Sequence, residues 1–303
     1  MNADIKTAEQ MAKEQREISV AEFFEKNRHL LGFDNPMKAL MIAVKEMVDN
    51  SLDACQEAGI LPEVTIKIRE LSEDRARVSV EDNGPGIVKE QIPRVFGKLL
   101  YGSKFYKMRQ GRGQQGIGVS AALLYSQLTT GKPAIVISRT SKSKPAHEMH
   151  IRIDTSKNEP EVIKSEKFEG NFNDHGTYVE MEMEGKYRKG ERSVDEFIKQ
   201  TAIANPFAKF IYHVNGEKIT YSRLIEQLPK SPKQIKPHPQ GVEMGVFEKM
   251  IKLTKGRTIA GFLSGDFTRV GPGTAKEILK LSKVNPNTKP DNITREEMEK
   301  IWR

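Results

Sequence analysis

Alternating apolar and polar residues predict a series of half-buried strands in the middle of the chain. In "VTIKIRE" (64–70) and "RARVSVE" (75–81) every second residue is apolar, as in antiparallel strands with one buried face. Consecutive strands are expected to pair with one another, because no helical pattern separates most of them. Further strands are predicted around 133–140, 147–154, 160–168 and 176–185, with a later hairpin turning on Asn215-Gly216.

Capping signals predict the helices that accompany these strands. Ser19-x-x-Glu22 is typical of a capping box at the start of a short helix, which follows an N-terminal tail. Asn35-Pro36 begins a long helix and Gly59 ends it, while smaller helices are predicted from Gly116 to about 130 and at 193–204. The mixture of helices and paired strands predicts an α+β fold, a sandwich of helices on a mixed, mainly antiparallel sheet.

The long helix has an unusual distribution of polar residues. Glu46, Asn50 and Asp53 fall within one narrow arc at 3.6 residues per turn. On a surface helix such an arc is ordinarily a solvated face, so a functional interpretation needs support from elsewhere in the chain. The apolar residues predicted to lie roughly opposite are Met37, Met41, Val44, Val48 and Cys55.

Composition changes towards the C-terminus. The segment "LPKSPKQIKPHPQG" (228–241) contains four prolines and indicates a domain boundary. Residues 229–303 hold 15 Lys/Arg against 8 Asp/Glu, whereas the rest of the chain is nearly neutral. A basic C-terminal segment is compatible with a polyanionic partner, although a lysine-rich surface would give the same count.

Several classes of protein are excluded by composition. The single cysteine, Cys55, cannot form an internal disulfide, which suits a reducing cytoplasm. No apolar run approaches the length that spans a bilayer, and the charged N-terminus is unlike a signal peptide. The six histidines lack metal-ligand spacing, so we expect no zinc site. A cytoplasmic protein without membrane association is predicted.

Three glycine motifs could bind phosphate. "GRGQQG" (111–116) fits the dinucleotide fingerprint but follows a polar loop and lacks the later acidic residue, and no glycine-lysine pair has P-loop spacing. What remains is a glycine-rich helix start at 113–118, where free backbone N–H groups would favour an anion. Lys104, Lys107, Arg109 and Arg112 would reinforce such a site, but a flexible loop explains the glycines equally well.

The motifs in combination are far more specific than any one alone. "KEMVDNSLDA", "VEDNGPGI", "YGSKF" and "GRGQQGIGVSAAL" resemble the ATP-binding fold shared by gyrase-type topoisomerases, large heat-shock chaperones, sensor histidine kinases and mismatch-repair ATPases. They are most similar to the B subunits of archaeal type IIB DNA topoisomerases, the topoisomerase VI family. The resemblance covers about residues 20–225 and continues in "TIAGFLSGDFTRVGPGTAKEIL", which resembles that family's helix-two-turn-helix domain. It implies a Bergerat-type ATP-binding sandwich followed by a small all-α domain.

The resemblance implies roles for residues of the polar arc and the strand ends. Glu46 would act as general base on the water that attacks the γ-phosphate, and Asn50 would coordinate Mg²⁺ through its amide oxygen. Asp82 would accept a hydrogen bond from the adenine amino group, with Thr177 supporting the same edge through water. Asp53 would orient neighbouring groups or the shell of ligands around Mg²⁺, or it would remain a polar surface residue.

Glycines and their neighbours are expected to complete the ATP site. Gly84 and Gly86 would leave space for the nucleotide, and the glycines near residue 115 would let a loop close over the phosphates as a lid. The other residues expected to contact ATP are Ser103, Lys104, Gly111, Arg112, Gly113, Gln114, Gln115, Gly116, Ile117, Gly118 and Val119.

The resemblance also implies a domain organisation. Residues 1–25 would form a strap exchanged between subunits, 26–228 the ATP-binding domain, and 229–303 the helix-two-turn-helix domain. Members of the family continue into a transducer domain, which supplies a lysine to the γ-phosphate and docks the A subunit. Because the sequence ends at Arg303, we expect an N-terminal fragment that binds ATP and hydrolyses it slowly.

The expected function is ATP-dependent DNA topology change, an isomerase activity that relaxes and decatenates DNA. ATP would drive dimerisation of two B subunits and trap a DNA duplex, which passes through a double-strand break made by the A subunit of the heterotetramer. A nucleotide-gated DNA-binding clamp without significant hydrolysis remains an alternative. A sensor kinase is disfavoured, because only His29 precedes the site. Whether 229–303 contacts DNA or docks a protein stays open.

Overall fold

The computed structural model of the protein describes residues 7–102, 116–231 and 235–303. These residues form two compact units, 7–102 with 116–231 and 235–303. The helices are α1 (Ala8–Glu14), α2 (Val20–Lys26), α3 (Pro36–Ala58), α4 (Ile92–Gly97), α5 (Gly118–Thr130), α6 (Val194–Ala204), α7 (Met244–Leu253), α8 (Ile259–Asp266), α9 (Pro272–Leu281) and α10 (Arg295–Trp302). The strands are β1 (Glu63–Ser72), β2 (Arg75–Asp82), β3 (Ala134–Arg139), β4 (His147–Asp154), β5 (Glu159–Lys167), β6 (Gly176–Glu184), β7 (Lys209–Val214) and β8 (Glu217–Tyr221).

The eight strands described form one mixed sheet in the order β5-β4-β3-β6-β2-β1-β7-β8. The β1–β7 pair is parallel and the other six pairs are antiparallel. The predicted α+β class is therefore confirmed, with helices covering a mainly antiparallel sheet. The β7–β8 hairpin turns as predicted on Asn215 and Gly216, whose φ values of 48° and 87° suit a type I′ turn.

Helices pack on one face of the sheet and bury its apolar residues. Val64, Ile66 and Ile68 of β1 alternate with more exposed residues, as their sequence pattern predicts. Helices α3 and α5 lie next to β2 and β6, and their buried residues join the same core. Burial of this apolar surface is the main driving force for the packing.

The long helix begins and ends where its capping residues predict. The Asn35 side chain accepts hydrogen bonds from the backbone N–H groups of Met37 (2.9 Å) and Lys38 (3.4 Å), and Gly59 adopts the left-handed conformation at φ 73°. The predicted apolar stripe is wrong at Met37, which is 38% exposed. Burial instead extends to Leu40, because α3 contacts both the sheet and α5.

Two further predictions about helix starts need correction. At α2 the Ser19 hydroxyl accepts from the Glu22 N–H, but the Glu22 carboxylate pairs with Arg16 and Lys26 and does not complete a capping box. Helix α5 begins at Gly118, two residues later than predicted, because Gly116 has a left-handed φ of 60°.

Residues 235–303 have a hydrophobic core of their own. Phe247, Phe262 and Phe267 make mutual edge and tilted ring contacts at centroid distances of 5.4–6.0 Å. Helix α10 starts with a complete capping box between Thr294 and Glu297. In both units, none of the helices described has the length and apolar character needed to cross a bilayer.

Candidate functional site

Part of the polar arc of α3 faces a cavity. The cavity has a volume of about 520 Å³, within the usual range of small-molecule sites. Helix α3 forms one wall with Glu46, Asn50 and Glu57, so this face is not simply a solvated surface. Eight residues expected from the sequence to bind ATP line this one cavity: Glu46, Asn50, Asp82, Gly86, Gly116, Gly118, Val119 and Thr177.

Strand register explains how distant residues meet at one end of this cavity. Asp82 is the last residue of β2 and lies opposite Thr177 near the start of β6. Thr177 in turn lies opposite Ser138 of β3. The three side chains therefore form a buried polar row across neighbouring strands, and the Ser138 and Thr177 hydroxyls are 3.2 Å apart.

The Asp82 carboxylate is buried and held by three donors. Its Oδ1 accepts from the backbone N–H groups of Gly84 (2.9 Å) and Thr177 (3.2 Å), and its Oδ2 accepts from the Ser51 hydroxyl (2.9 Å). Burial nevertheless dominates and raises the pKa of Asp82 to about 6, although these hydrogen bonds act in the opposite direction. Asp82 thus presents a fixed, partly satisfied acceptor beside the cavity.

The turn after β2 is shaped by glycine and by side chains outside the motif. Gly86 has φ 69°, and an added Cβ would lie 1.9 Å from the Arg139 carbonyl oxygen, so only glycine fits. His175 Nδ1 donates to the Gly84 carbonyl at 2.8 Å, and the Ile87 N–H donates to the Ser138 hydroxyl at 2.8 Å. These hydrogen bonds therefore hold the turn after β2 against the start of β6 and the end of β3.

The Glu46 carboxylate lies between a lysine and a helix start. Lys45 Nζ is 3.2 Å from Glu46 Oε1. On the other side, a Cβ added to Gly118 would lie 1.8 Å from Glu46 Oε2. Glycine at the first position of α5 is thus what allows the carboxylate to approach the helix.

The start of α5 provides a place for an anion. Ile117 at the N-cap position makes no side-chain capping hydrogen bond, so this residue does not cap the first-turn N–H groups. Gly118, Val119 and Ser120 of this turn line the cavity. The positive end of the helix dipole adds to the attraction for negative charge.

Some expected contact residues lie elsewhere. Asp53 is buried but is absent from the cavity wall, and Gly84 and Ile117 are next to lining residues without lining the cavity themselves. The remaining expected residues lie outside the described part of the chain: Ser103, Lys104, Gly111, Arg112, Gly113, Gln114 and Gln115. Residues 1–6 of the expected strap also lie outside it.

Sequence reasoning missed five residues that the structure places at the site: Ser51, Gln91, Tyr101, Ser138 and His175. Ser51 binds Asp82, and the Tyr101 hydroxyl donates to Gln91 Oε1 at 2.7 Å in the cavity wall. Ser51 and Tyr101 belong to the motifs "KEMVDNSLDA" and "YGSKF", although the sequence alone indicates no role for either residue. Ser138 could have been found, because it places a hydroxyl at a core-facing position of the otherwise apolar β3.

The oxygen atoms that line the cavity can be compared with the ligands that a divalent cation requires. In the described ranges, no three His, Cys, Asp or Glu residues are grouped as metal ligands. Asn50 and Glu46 offer oxygen atoms to the same cavity. Mg²⁺ commonly takes one or two protein oxygens and completes its octahedron with phosphate oxygens and water, so this sparse set fits Mg²⁺ bound together with a nucleotide.

Known proteins resemble the chain over nearly its whole length. Residues 36–183 match the family described as histidine kinase-, DNA gyrase B- and HSP90-like ATPase. The B subunit of type 2 DNA topoisomerase 6 from Methanosarcina barkeri is 48% identical over 296 residues, covering 97% of this chain and 48% of that protein. The Archaeoglobus fulgidus protein of the same name is 47% identical over 293 residues, covering 96% and 48%. The chain thus spans about half the length of these relatives.

A solved structure gives a more distant match. The 43K ATPase domain of Thermus thermophilus gyrase B in complex with an aminocoumarin is 15% identical, with a TM-score of 0.43, and the alignment covers 66% of this chain and 50% of that one.

Proposed function

We propose that, over the length that it spans, the chain belongs to the family of type 2 DNA topoisomerase 6 B subunits, as its similarity to them supports. We further propose that its cavity binds ATP with Mg²⁺ and hydrolyses ATP at the γ-phosphate. The observation that carries the proposal is the convergence of Glu46, Asn50, Asp82 and Thr177 on one cavity of about 520 Å³. These four residues come from a helix and two strands that are far apart in sequence.

Asp82 is proposed to select the base. A buried carboxylate fixed by Gly84, Thr177 and Ser51 can accept a hydrogen bond from the exocyclic amino group of adenine. Guanine would present a carbonyl at the equivalent position and leave this acceptor facing another acceptor. Selection of ATP over GTP follows, since an unpaired buried polar group is costly.

Glu46 and Asn50 are proposed to act at the phosphate end. Mg²⁺, when bound, would neutralise phosphate charge and polarise the transferred group. The Asn50 amide oxygen would hold the ion, and the first turn of α5 would bind phosphate oxygens through its N–H groups. The Glu46 carboxylate would accept the proton of the attacking water. Asp53 and the expected residues at 103–115 remain predicted contributors.

The whole-protein role is also a proposal. ATP binding would bring two copies together, and the dimer would pass one DNA duplex through a break made by a partner A subunit. The net charge of +8 supports contact with a polyanion. A clamp that only binds nucleotide would share every feature of the cavity but would not need the Glu46 carboxylate.

Hydrolysis with matched variants tests the proposal. We expect the purified chain to bind and hydrolyse Mg²⁺·ATP, and Glu46→Gln to bind with similar affinity but turn over at least about 100-fold more slowly. Asn50→Ala should weaken binding only when Mg²⁺ is present. Equal turnover by the wild-type chain and Glu46→Gln would contradict the catalytic assignment and favour the clamp.

Sedimentation tests the dimer separately. With a non-hydrolysable ATP analogue and Mg²⁺, we expect a shift from monomer to dimer that is absent without nucleotide. A chain that binds the analogue and stays monomeric would contradict the dimer proposal while leaving the ATP site intact.

A further inference from the structure

Lys45 lies directly beside the proposed general base. Its Nζ is 3.2 Å from Glu46 Oε1 and 2.9 Å from Asp49 Oδ2, so one ammonium group bridges two carboxylates. We infer that Lys45 is a positioning residue that fixes the Glu46 carboxylate for hydrolysis, an inference that rests on the proposed function. Lys45 itself is not among the residues that line the cavity.

The second carboxylate explains why the ammonium group stays in place. Lys45 and Asp49 are one helical turn apart, at the i, i+4 spacing that brings side chains together on α3. The Asp49 side chain is only 15% exposed, compared with 43% for Lys45. Asp49 therefore anchors the flexible lysine from the helix surface, and the anchored lysine restrains Glu46.

The restraint acts from two sides. Lys45 holds Oε1, while Oε2 packs against Gly118, where an added Cβ would come within 1.8 Å. Both contacts are made by residues of the chain itself. The carboxylate is thus preorganised, which matters because a displacement of about 1 Å in a reacting group can cost about 100-fold in rate.

A stabilising role alone explains the arrangement less well. Exposed ion pairs contribute about 0–1 kcal/mol, so Lys45 gains little stability from its position. A second i, i+4 pair joins Lys38, in the first turn of α3, to Asp34, which precedes the helix, at 3.0 Å, and neither residue lines the cavity. Lys38 therefore offers a matched control, because its ion pair has the same sequence spacing and a similar N–O distance but does not contact Glu46.

The test separates binding from turnover in the full chain. We expect Lys45→Met to lower the single-turnover rate of saturating Mg²⁺·ATP about tenfold, while changing the affinity for a non-hydrolysable analogue less than about twofold. Lys45→Arg should recover most of the rate, because a guanidinium can bridge the same carboxylates. Lys38→Met should behave like the wild-type chain.

Three other outcomes would each overturn the positioning role of Lys45. An unchanged rate in Lys45→Met, with Glu46→Gln inactive, would overturn the positioning role and leave the proposed function standing. Parallel losses of affinity and rate would show that Lys45 contacts the nucleotide directly, which also overturns it. Equal hydrolysis by Glu46→Gln and the wild-type chain would instead refute the proposed function, and the inference with it.

Discussion

At the scale of a single residue, Asp82 is proposed to bind adenine, but its buried carboxylate destabilises the folded protein at neutral pH. Asp82 is 6% exposed, and burial raises its pKa to about 6. The folded state therefore binds a proton more tightly than the unfolded chain, where the pKa is 3.8. The stabilisation that the raised pKa of Asp82 gives the folded wild-type protein is fully present below the unfolded-state pKa of 3.8. It is lost as the pH rises through the folded-state pKa of about 6. A carboxylate at this place in the cavity thus lowers stability at neutral pH.

Asp82→Asn should consequently stabilise the nucleotide-free protein at neutral pH. The variant cannot ionise, so its unfolding free energy relative to the wild-type chain should increase by roughly 1–2 kcal/mol between about pH 5 and about pH 7.5. Urea unfolding of both proteins across this range measures the difference, and effects of other titrating groups cancel. A pH-independent difference would show that Asp82 titrates normally.

The role of a site residue could be predicted from the sequence only where a motif or a break in the polar–apolar pattern indicated it. Glu46, Asn50 and Asp82 were identified from their motifs, and Ser138 was detectable as a polar residue in a buried strand. Ser51 lies in the same motif as Glu46 and Asn50, but its role and that of His175 could not be predicted from the sequence. Their roles depend on strand register and turn geometry, which bring together residues 31 and 91 positions apart from their partners.

At the scale of elements, helices α3 and α5 and strands β2 and β6 line the cavity. Helix α3 contributes Glu46 and Asn50 to the cavity lining, and α5 contributes the first turn that we propose to bind phosphate. The ends of α3 and the β7–β8 turn were predictable to within one or two residues, because Asn35, Gly59 and Asn215-Gly216 encode them locally. Helices α1 and α4 were not predicted. The burial of α3 on more than one side was not predictable, since it depends on how α5 packs against it.

Replacement of the first residue of α5 should impair turnover. Gly118→Ala places a methyl group 1.8 Å from Glu46 Oε2 and must displace either the carboxylate or the helix. We expect hydrolysis to fall about tenfold or more, although alanine is the better helix former. Gly245→Ala is the control, because its Cβ meets nothing within 4 Å near the start of α7. Equal activity of the two variants would argue against contact between α5 and Glu46.

Loss of the cap on α3 should affect stability more than chemistry. Asn35→Ala removes the acceptor of the Met37 and Lys38 N–H groups, at an expected cost of about 1 kcal/mol in unfolding free energy. Glu46 lies eleven residues further along the helix, so nucleotide affinity should be retained. Urea unfolding and nucleotide titration distinguish the two effects, and a large loss of affinity would show that the helix start controls the site.

At the scale of the whole molecule, the sequence predicted a sandwich followed by a basic helical segment. The described residues form one eight-stranded sheet and two hydrophobic cores, and the domain boundaries at residues 25 and 228 stay predictions. Partners, strand passage and the A subunit cannot be derived from these cores. Those proposals rest on similarity to longer proteins, and this chain spans about half the length of those proteins.

The central claim is that Asp82 and Asn50 belong to one ATP site, and calorimetric titration with a non-hydrolysable ATP analogue and Mg²⁺ tests it most directly. The account predicts binding by the wild-type chain and by Lys38→Met, at least about tenfold weaker binding by Asp82→Asn, and a reduced preference for adenine over guanine nucleotide in that variant. Equal affinity of the wild-type chain and Asp82→Asn for both nucleotides would contradict the account.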